Sequence, residues 1–206
     1  IANGSEPWKY PNIKNLEKFK NNFVKSSDEK FHPYNRDSKT LARKWAIPGV
    51  KGLEHRIGGL EKANNTGNVS YDPDNHHAMT LKRQEKVDVI ANSIPEAKVL
   101  GDDSGKLLVL GWGGTFGSIK SAVVKAQEEG LSVSQLHLKY INPFPKNLGD
   151  ILLRYDKILI PELNMGQLLT IIRSKFLVDA EGYNSIKGKP FSSNEILGVI
   201  KQHLEE

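Results

Sequence analysis

The sequence predicts an α/β fold, a three-layer, open, mainly parallel sheet with helices on both faces, preceded by an extended arm and a long loop. Three observations carry this. The first is the stretch Lys106 to Gly130, where an apolar run, Leu107 to Leu110, meets a glycine cluster, Gly111, Gly113, Gly114 and Gly117. Apolar residues then fall at Ile119, Val123 and Ala126, and Gly130 closes the segment. That is strand, tight turn, helix and helix stop. A strand apolar on both faces belongs in a parallel sheet covered on both sides, and a glycine just past the last turn ends a helix. The second is that apolar runs and helical spacings keep alternating downstream, which implies parallel strands joined by right-handed crossovers. The third is that residues 1–78 show neither period.

In chain order, residues 1–48 read as an arm. They are polar and carry Pro7, Pro11, Pro33 and Pro48, yet Trp8, Tyr10, Phe19, Phe23, Phe31, Tyr34 and Trp45 are spread among them. A disordered tail is poor in aromatics, so the arm is expected to pack against something. Asn15 to Phe23 is the one short helix it suggests. Residues 49–78 read as a glycine-rich loop carrying His55, Arg56, His76 and His77; loops of this length are uncommon and are functional or act as connectors.

Residues 79–206 hold the regular elements. A helix is expected from Met79, with Val87, Ile90, Ala91 and Ile94 on one face and Pro95 as its stop. Lys98 to Leu100 suggests a short strand. After the central unit, Ser132 to Tyr140 alternates Val133, Leu136 and Leu138 with polar residues and reads as a strand that Asn142-Pro-Phe-Pro145 breaks. Asn147 is expected to cap a helix with Leu148, Ile151, Leu152 and Tyr155 on one face. Lys157 to Leu163 is a third strand, Met165 to Val178 a helix and Tyr183 to Ile186 a last strand. Ser192-Ser-Asn-Glu195 is a capping box opening a final helix. About four strands result, with any ligand edge at their carboxyl ends.

The chain has 206 residues, 38% hydrophobic and 26% charged, with a net charge of +5. The basic residues are dispersed. The excess favours anionic ligands or an acidic partner, and lacks the stripe of a nucleic-acid platform. There are no cysteines, so the chain supplies no disulfide, thiol nucleophile or iron–sulfur thiolate. No apolar run approaches the ~20 residues that span a bilayer. Absence of cysteine and of a signal-peptide pattern fits a cytoplasmic protein, and a start at Ile1 without Met reads as a cut inside a longer one.

Four groups of residues could carry chemistry. Gly113, Gly114 and Thr115 form a candidate anion-binding turn at a helix start, but the glycine spacing departs from Gly-x-Gly-x-x-Gly and Trp112 sits inside the turn, so tight packing is the favoured reading over an autonomous nucleotide-binding module. The six histidines lack metal spacing, and His137 and His203 read as structural. Glu54, His55 and Arg56 stand among Gly49, Gly52, Gly58 and Gly59, where arginine can pair a substrate carboxylate and histidine titrates near neutrality. Glu162, Asn164 and Gln167 lie at a strand's carboxyl end, with helix capping by Asn164 preferred.

Several of these segments recur in order: Arg43-Lys-Trp-Ala-Ile-Pro-Gly49, Gly52-Leu-Glu-His-Arg-Ile-Gly-Gly-Leu-Glu-Lys62, Tyr71-Asp-Pro-Asp-Asn-His76, Leu110-Gly-Trp-Gly-Gly-Thr115, His137-Leu-Lys-Tyr-Ile-Asn-Pro-Phe-Pro145 and Pro161-Glu-Leu-Asn-Met-Gly-Gln-Leu168. Together they resemble the alpha subunit of 2-oxoacid:ferredoxin oxidoreductases, with the 2-oxoglutarate type as the nearest match. The resemblance implies a transketolase C-terminal-like domain over 79–206, an arm at 1–48 that follows a pyrimidine-binding domain, and a 49–78 loop facing the active site. It implies an enzyme that uses thiamine diphosphate and magnesium to decarboxylate a 2-oxoacid. Electrons then pass through an iron–sulfur cluster to ferredoxin, and the acyl group leaves on coenzyme A. The Glu54, His55, Arg56 loop would serve substrate or coenzyme A access, beside a beta subunit. The sequence lacks the Gly-Asp-Gly…Asn run that holds diphosphate and magnesium, so this chain by itself is expected to bind none of these cofactors and to be inert.

Overall fold

The structure is a computed structural model that describes residues 10–16, 18, 21, 23–25 and 30–205. It divides into two compact units, Tyr10–Ser93 and Ile94–Glu206.

The first unit has little regular structure. Ile13–Asn15 form a single 3-10 turn, and β1 (Phe23–Val24) pairs in parallel with β2 (Trp45–Ala46). The helix expected over 15–23 falls partly outside the described residues, as do Trp8 and Phe19. Between the strands Asp37 organises a tight turn. Its Oδ1 accepts from the Thr40 amide at 2.7 Å and the Lys39 amide at 3.0 Å, the local bonding that favours Asp at turns. That turn brings Arg36 and Arg43 opposite each other in an antiparallel bridge. Gly67 sits at φ +74° with Pro33 Cγ only 2.6 Å from where a Cβ would be, so no side chain fits there.

The one long helix of this unit, α1 (Pro73–Ile90), begins six residues before the expected Met79. Asp72 caps it by accepting from the Asp74 amide, and Pro73 supplies the preset φ of a first helical residue. It ends at Ile90, before Pro95 is reached. Only Met79 is buried, whereas Val87, Ile90 and Ala91 are half-buried or exposed. The i, i+3, i+4, i+7 pattern therefore located a helix but misplaced its buried contact.

The second unit is the sheet. Its strands are β3 (Val99–Leu100), β4 (Gly105–Trp112), β5 (Val133–Leu138), β6 (Tyr155–Glu162) and β7 (Ala180–Asn184), in the order β3-β5-β4-β6-β7. There are five strands where about four were expected. All neighbours are parallel except β3, which runs antiparallel along the β5 edge. The crossovers are α2 (Phe116–Glu128), α3 (Leu148–Leu152) and α4 (Gln167–Phe176), and α5 (Ser193–Glu205) ends the chain.

Alternate residues of the strands feed two separate cores. Leu108, Leu110, Leu136, Ile158 and Ile160 pack with Leu148 and Ile151 of α3 and Leu168 and Ile172 of α4. Leu107, Val109, Val133 and Leu159 pack on the opposite face with Ile119, Val123 and Ala126 of α2 and Ile196 and Ile200 of α5. This is the three-layer arrangement expected. In β5, Ser134 and Gln135 are buried between apolar neighbours, where the Ser134 hydroxyl donates to the Asp102 carbonyl and the Gln135 amide to the Phe116 carbonyl of α2.

Several boundaries differ for local reasons. Tyr155 starts β6 and does not extend the α3 face, because α3 closes after Leu152. The Asn147 side chain bonds the backbone N–H and C=O of Ala97 at 2.9 Å each, and makes no cap. The last strand lies at 180–184, earlier than Tyr183–Ile186. The capping box is formed: the Glu195 amide donates to Ser192 Oγ at 3.1 Å, and the Ser192 amide to Glu195 Oε2 at 3.4 Å. Among the described residues no helix is long and apolar enough to cross a membrane.

Leu159 is fully buried in the middle of β6. Leu159→Ala should lower unfolding free energy by about 3 kcal/mol, the usual loss for a leucine deleted from a close-packed core. Chemical denaturation would read it, and an unchanged midpoint would argue against this packing.

Candidate functional site

Parallel sheets place ligands where adjacent strands send their crossovers in opposite directions. Here β4 leads through α2 to β5 on one side, and β6 leads through α4 to β7 on the other. The carboxyl ends of β4 and β6 are therefore the expected ligand edge. They carry Trp112 and Glu162, and these two residues join each other: the indole Nε1 donates to Glu162 Oε1 at 3.2 Å. Glu162 is fully buried. Its Oε1 also accepts from Asn164 Nδ2 at 3.0 Å and the Leu168 amide at 3.0 Å, and its Oε2 from the Leu169 amide at 3.0 Å. A buried carboxylate thus meets the free amides of the α4 N-terminus, where negative charge is favoured. Asn164 Oδ1 takes the Gly166 and Gln167 amides. The capping expected of Asn164 is present, and Glu162 shares it.

The glycine turn is equally engaged. Gly113–Thr115 is a single 3-10 turn leading into α2. Thr115 is buried, its hydroxyl donating to the Trp112 carbonyl at 2.9 Å and accepting from the Trp112 amide at 3.3 Å. A Cβ at Gly111 would lie 2.5 Å from Ile119 Cδ1. Gly111 thus has a packing reason, the close approach of β4 to α2. Gly113 and Gly114 are exposed with open space around them.

The Glu54, His55, Arg56 loop belongs to the other unit. It lines a cleft of about 540 Å³ together with Arg43, Lys44 and Trp45. Leu53 is buried and anchors the loop. Glu54 folds back to accept from the Gly52 amide at 2.8 Å. His55 Nδ1 lies 2.8 Å from the Leu53 carbonyl, an acceptor that places the proton on Nδ1 and leaves Nε2 as the lone-pair nitrogen of the neutral ring. The ring also meets Phe31 edge-on, centroids 5.4 Å apart. Arg56 is exposed. Lys62 is buried and donates to the carbonyls of Gly58, at 3.0 Å, and Leu60, closing the turn behind the loop.

A network that spacing did not suggest lies beside it. Glu61 Oε2 is 2.6 Å from His76 Nδ1 and its Oε1 is 3.4 Å from Arg83 Nη1. Asn75 bridges the Lys62 carbonyl and the Asn64 amide. The missed signal was Asp72-Pro73: a helix begun there puts His76, Thr80 and Arg83 on one face at i, i+4, i+7. The His76 hydrogen bond above all, with Arg83, holds the Glu61 carboxyl below the usual carboxylate range. His137 and His203 lie in β5 and α5, and His203 Nδ1 is bonded to the Val199 carbonyl at 2.9 Å. Among the described residues no group of three histidine or acidic side chains could hold a metal ion.

The comparisons with known proteins agree among themselves. Residues 105–196 match the family described as pyruvate:ferredoxin oxidoreductase core domain II. The chain is 49% identical over 206 aligned residues to 2-oxoglutarate oxidoreductase subunit KorA of Mycobacterium tuberculosis, covering 99% of this chain and 31% of that one. It is 28% identical over 162 residues to 2-oxoacid:ferredoxin oxidoreductase 2, subunit alpha, of Aeropyrum pernix, covering 76% of this chain and 24% of that one. Its fold is shared with 2-oxoglutarate:ferredoxin oxidoreductase from Magnetococcus marinus, at a TM-score of 0.84 and 24% identity over 94% of this chain and 34% of that one. That enzyme's structure holds 2-oxoglutarate, coenzyme A and succinyl-CoA. The chain spans less than a third of the length of these two curated relatives.

Two outcomes test the side-chain networks. Glu162→Gln leaves one α4 amide facing a donor in place of an acceptor, and should cost about 1–3 kcal/mol in a denaturant melt, the penalty of an unmet buried group. Glu61, with its pKa depressed in the folded state, stabilises at pH above the unfolded carboxylate value near 4.3, and that contribution is lost as pH falls through the lower folded value. Glu61→Gln should therefore make the melting temperature less sensitive to acid below pH ~4.3. Parallel wild-type and variant profiles would refute the assignment.

Proposed function

Because this chain belongs to the family of 2-oxoacid:ferredoxin oxidoreductase alpha subunits, we propose that it is the transketolase C-terminal-like portion of such a subunit, serving a 2-oxoglutarate enzyme of the cytoplasm. The observation that carries this is the 49% identity to KorA, spread over 99% of the chain. The complete enzyme would decarboxylate the oxoacid oxidatively, pass two electrons to ferredoxin and release an acyl-CoA, as the coenzyme A and succinyl-CoA in the Magnetococcus marinus structure suggest.

In that enzyme thiamine diphosphate supplies the carbanion chemistry and an iron–sulfur centre carries the electrons. The residues of this chain do not fit either group. It has no cysteine for a cluster and lacks the Gly-Asp-Gly…Asn run that holds the diphosphate and its magnesium. Those groups belong to other parts of the enzyme, including a beta subunit, and no step through them falls to residues here.

The share of this chain is positioning. The 540 Å³ cleft brings Glu54, His55 and Arg56 together with Arg43 and Lys44. Guanidinium and ammonium groups favour carboxylates and phosphates there, with arginine able to bind a carboxylate through two parallel bonds. The tautomer held by the Leu53 carbonyl presents His55 Nε2 as an acceptor. The loop thereby controls substrate or coenzyme A access, while Glu54 shapes its own backbone through Gly52. The alternative of an autonomous nucleotide-binding module has less support, since Trp112 and Glu162 bond each other at the carboxyl-end crevice where its ligand would sit.

In the complete enzyme, Arg56→Ala should raise the KM for 2-oxoglutarate or coenzyme A about tenfold, the worth of one charge-assisted bond, with the melting temperature held. Unchanged kinetics would remove the loop from substrate access. This chain expressed without its partner subunits should reduce no dye acceptor with any 2-oxoacid; sustained turnover would sink the proposal that it is one portion of a larger catalyst.

A further inference from the structure

A second cleft, of about 580 Å³, lies on the other side of the wall formed by Tyr34, Arg43 and Lys62. Its charge is one-sided. Arg36 and Arg43 enter it from the two ends of the Asp37 turn, and Lys82, Arg83 and Lys86 enter it from α1. Among the described residues Glu61 is the only acid in its lining, and it is already bonded to His76 and Arg83. Lys82 is paired with Glu85 at 2.7 Å, outside the cleft. Among the described residues no carboxylate pairs with Arg36, Arg43 or Lys86.

Arg36 and Arg43 are held by neighbouring groups. Arg36 donates to neutral acceptors only, the Tyr34 carbonyl at 3.2 Å, Asn64 Oδ1 at 2.9 Å and Met79 Sδ at 3.6 Å. Arg43 stacks on the Tyr34 ring, its guanidinium carbon 4.2 Å from the centroid. Burial, and then the charge of Arg43, keep the Arg36 guanidinium below the usual arginine range. Arg36 and Arg43, bridged opposite each other with Arg36 partly buried, repel each other, and an anion would relieve the repulsion. A single carboxylate would meet one guanidinium. Two guanidinium groups and an ammonium lining one cleft suit the several oxygens of a phosphate group, and the volume falls in the range of small-molecule clefts.

We propose that this cleft binds a phosphate-bearing anion, with Arg36, Arg43 and Lys86 as its charged ligands. The shared chemistry is phosphate, carried either by free inorganic anions or by a nucleotide diphosphate. The site shares Arg43 with the access cleft, but Arg36 and Lys86 line only the second cleft and Arg56 only the first, so variants at those positions separate the two.

The test is calorimetric titration of pyrophosphate, inorganic phosphate and ADP into the intact enzyme that carries this chain, saturated with thiamine diphosphate so that the cofactor's own diphosphate site is filled. Saturable pyrophosphate binding is expected. Lys86→Gln should weaken it on the order of tenfold through loss of one charge-assisted contact, and Arg36→Lys, which keeps the charge but loses the fork, should also weaken it. Lys187→Gln, an equal charge change on an exposed residue of the other unit, should not, and Arg56→Ala should leave it unchanged even if that variant alters KM. ADP binding tighter than pyrophosphate assigns the phosphate to a nucleotide, and equal binding assigns it to free anion; either sustains the proposal. No saturable binding, or binding untouched by both cleft variants while their circular dichroism is native, overturns it.

Discussion

The sheet unit turns on one buried carboxylate. Glu162 ends the β6 strand, and its two oxygens collect four donors from three parts of the chain. An ionised group in an apolar interior is tolerated only when hydrogen bonds replace its lost water. Meeting that condition joins the ends of β4 and β6, sets where α4 begins and consumes the crevice in which many parallel sheets hold a ligand. The same constraint explains why Trp112 interrupts a glycine turn that otherwise resembles a phosphate loop: its indole is one of the four donors.

The Tyr10–Ser93 unit carries two clefts lined by charged side chains. This unit buries few apolar residues, chiefly Leu41, Leu53 and Met79, and its order rests on side-chain hydrogen bonds to backbone. Asp37 builds the turn that pairs Arg36 with Arg43, Lys62 closes the 58–62 turn, and Asn75 fastens the start of α1 to residues 62–64. A framework of this kind presents charge on short rigid turns. Two clefts result, one bearing the Glu54, His55, Arg56 loop, the other lined by cations.

The layered architecture was legible because it rests on composition. Leu107 to Leu110 and Ile158 to Ile160 are apolar on both faces, which requires covering helices wherever the strands pair. The Ser192–Glu195 capping box was legible because a helix start is local chemistry. Less could be read where one local signal competed with another. Asp72-Pro73 marked a helix start inside a stretch whose glycines and asparagines read as loop, so the His76, Thr80 and Arg83 face went unseen. Asn147 carries the residue type of a helix cap but is drawn to the Ala97 backbone, 50 residues away in sequence.

The sequence by itself determined the α/β class, the two-faced strands, the absence of cysteine chemistry and the family resemblance, since each depends on residue type and near spacing. Only the tertiary structure decided strand order, the antiparallel β3 edge, the closure of the crevice by Trp112 and Glu162, and the meeting of Arg36 and Arg43 with the cations of α1. Those depend on pairs far apart along the chain, and the energy of a hydrogen bond or a charge pair is set by distance in space, which spacing in sequence does not encode.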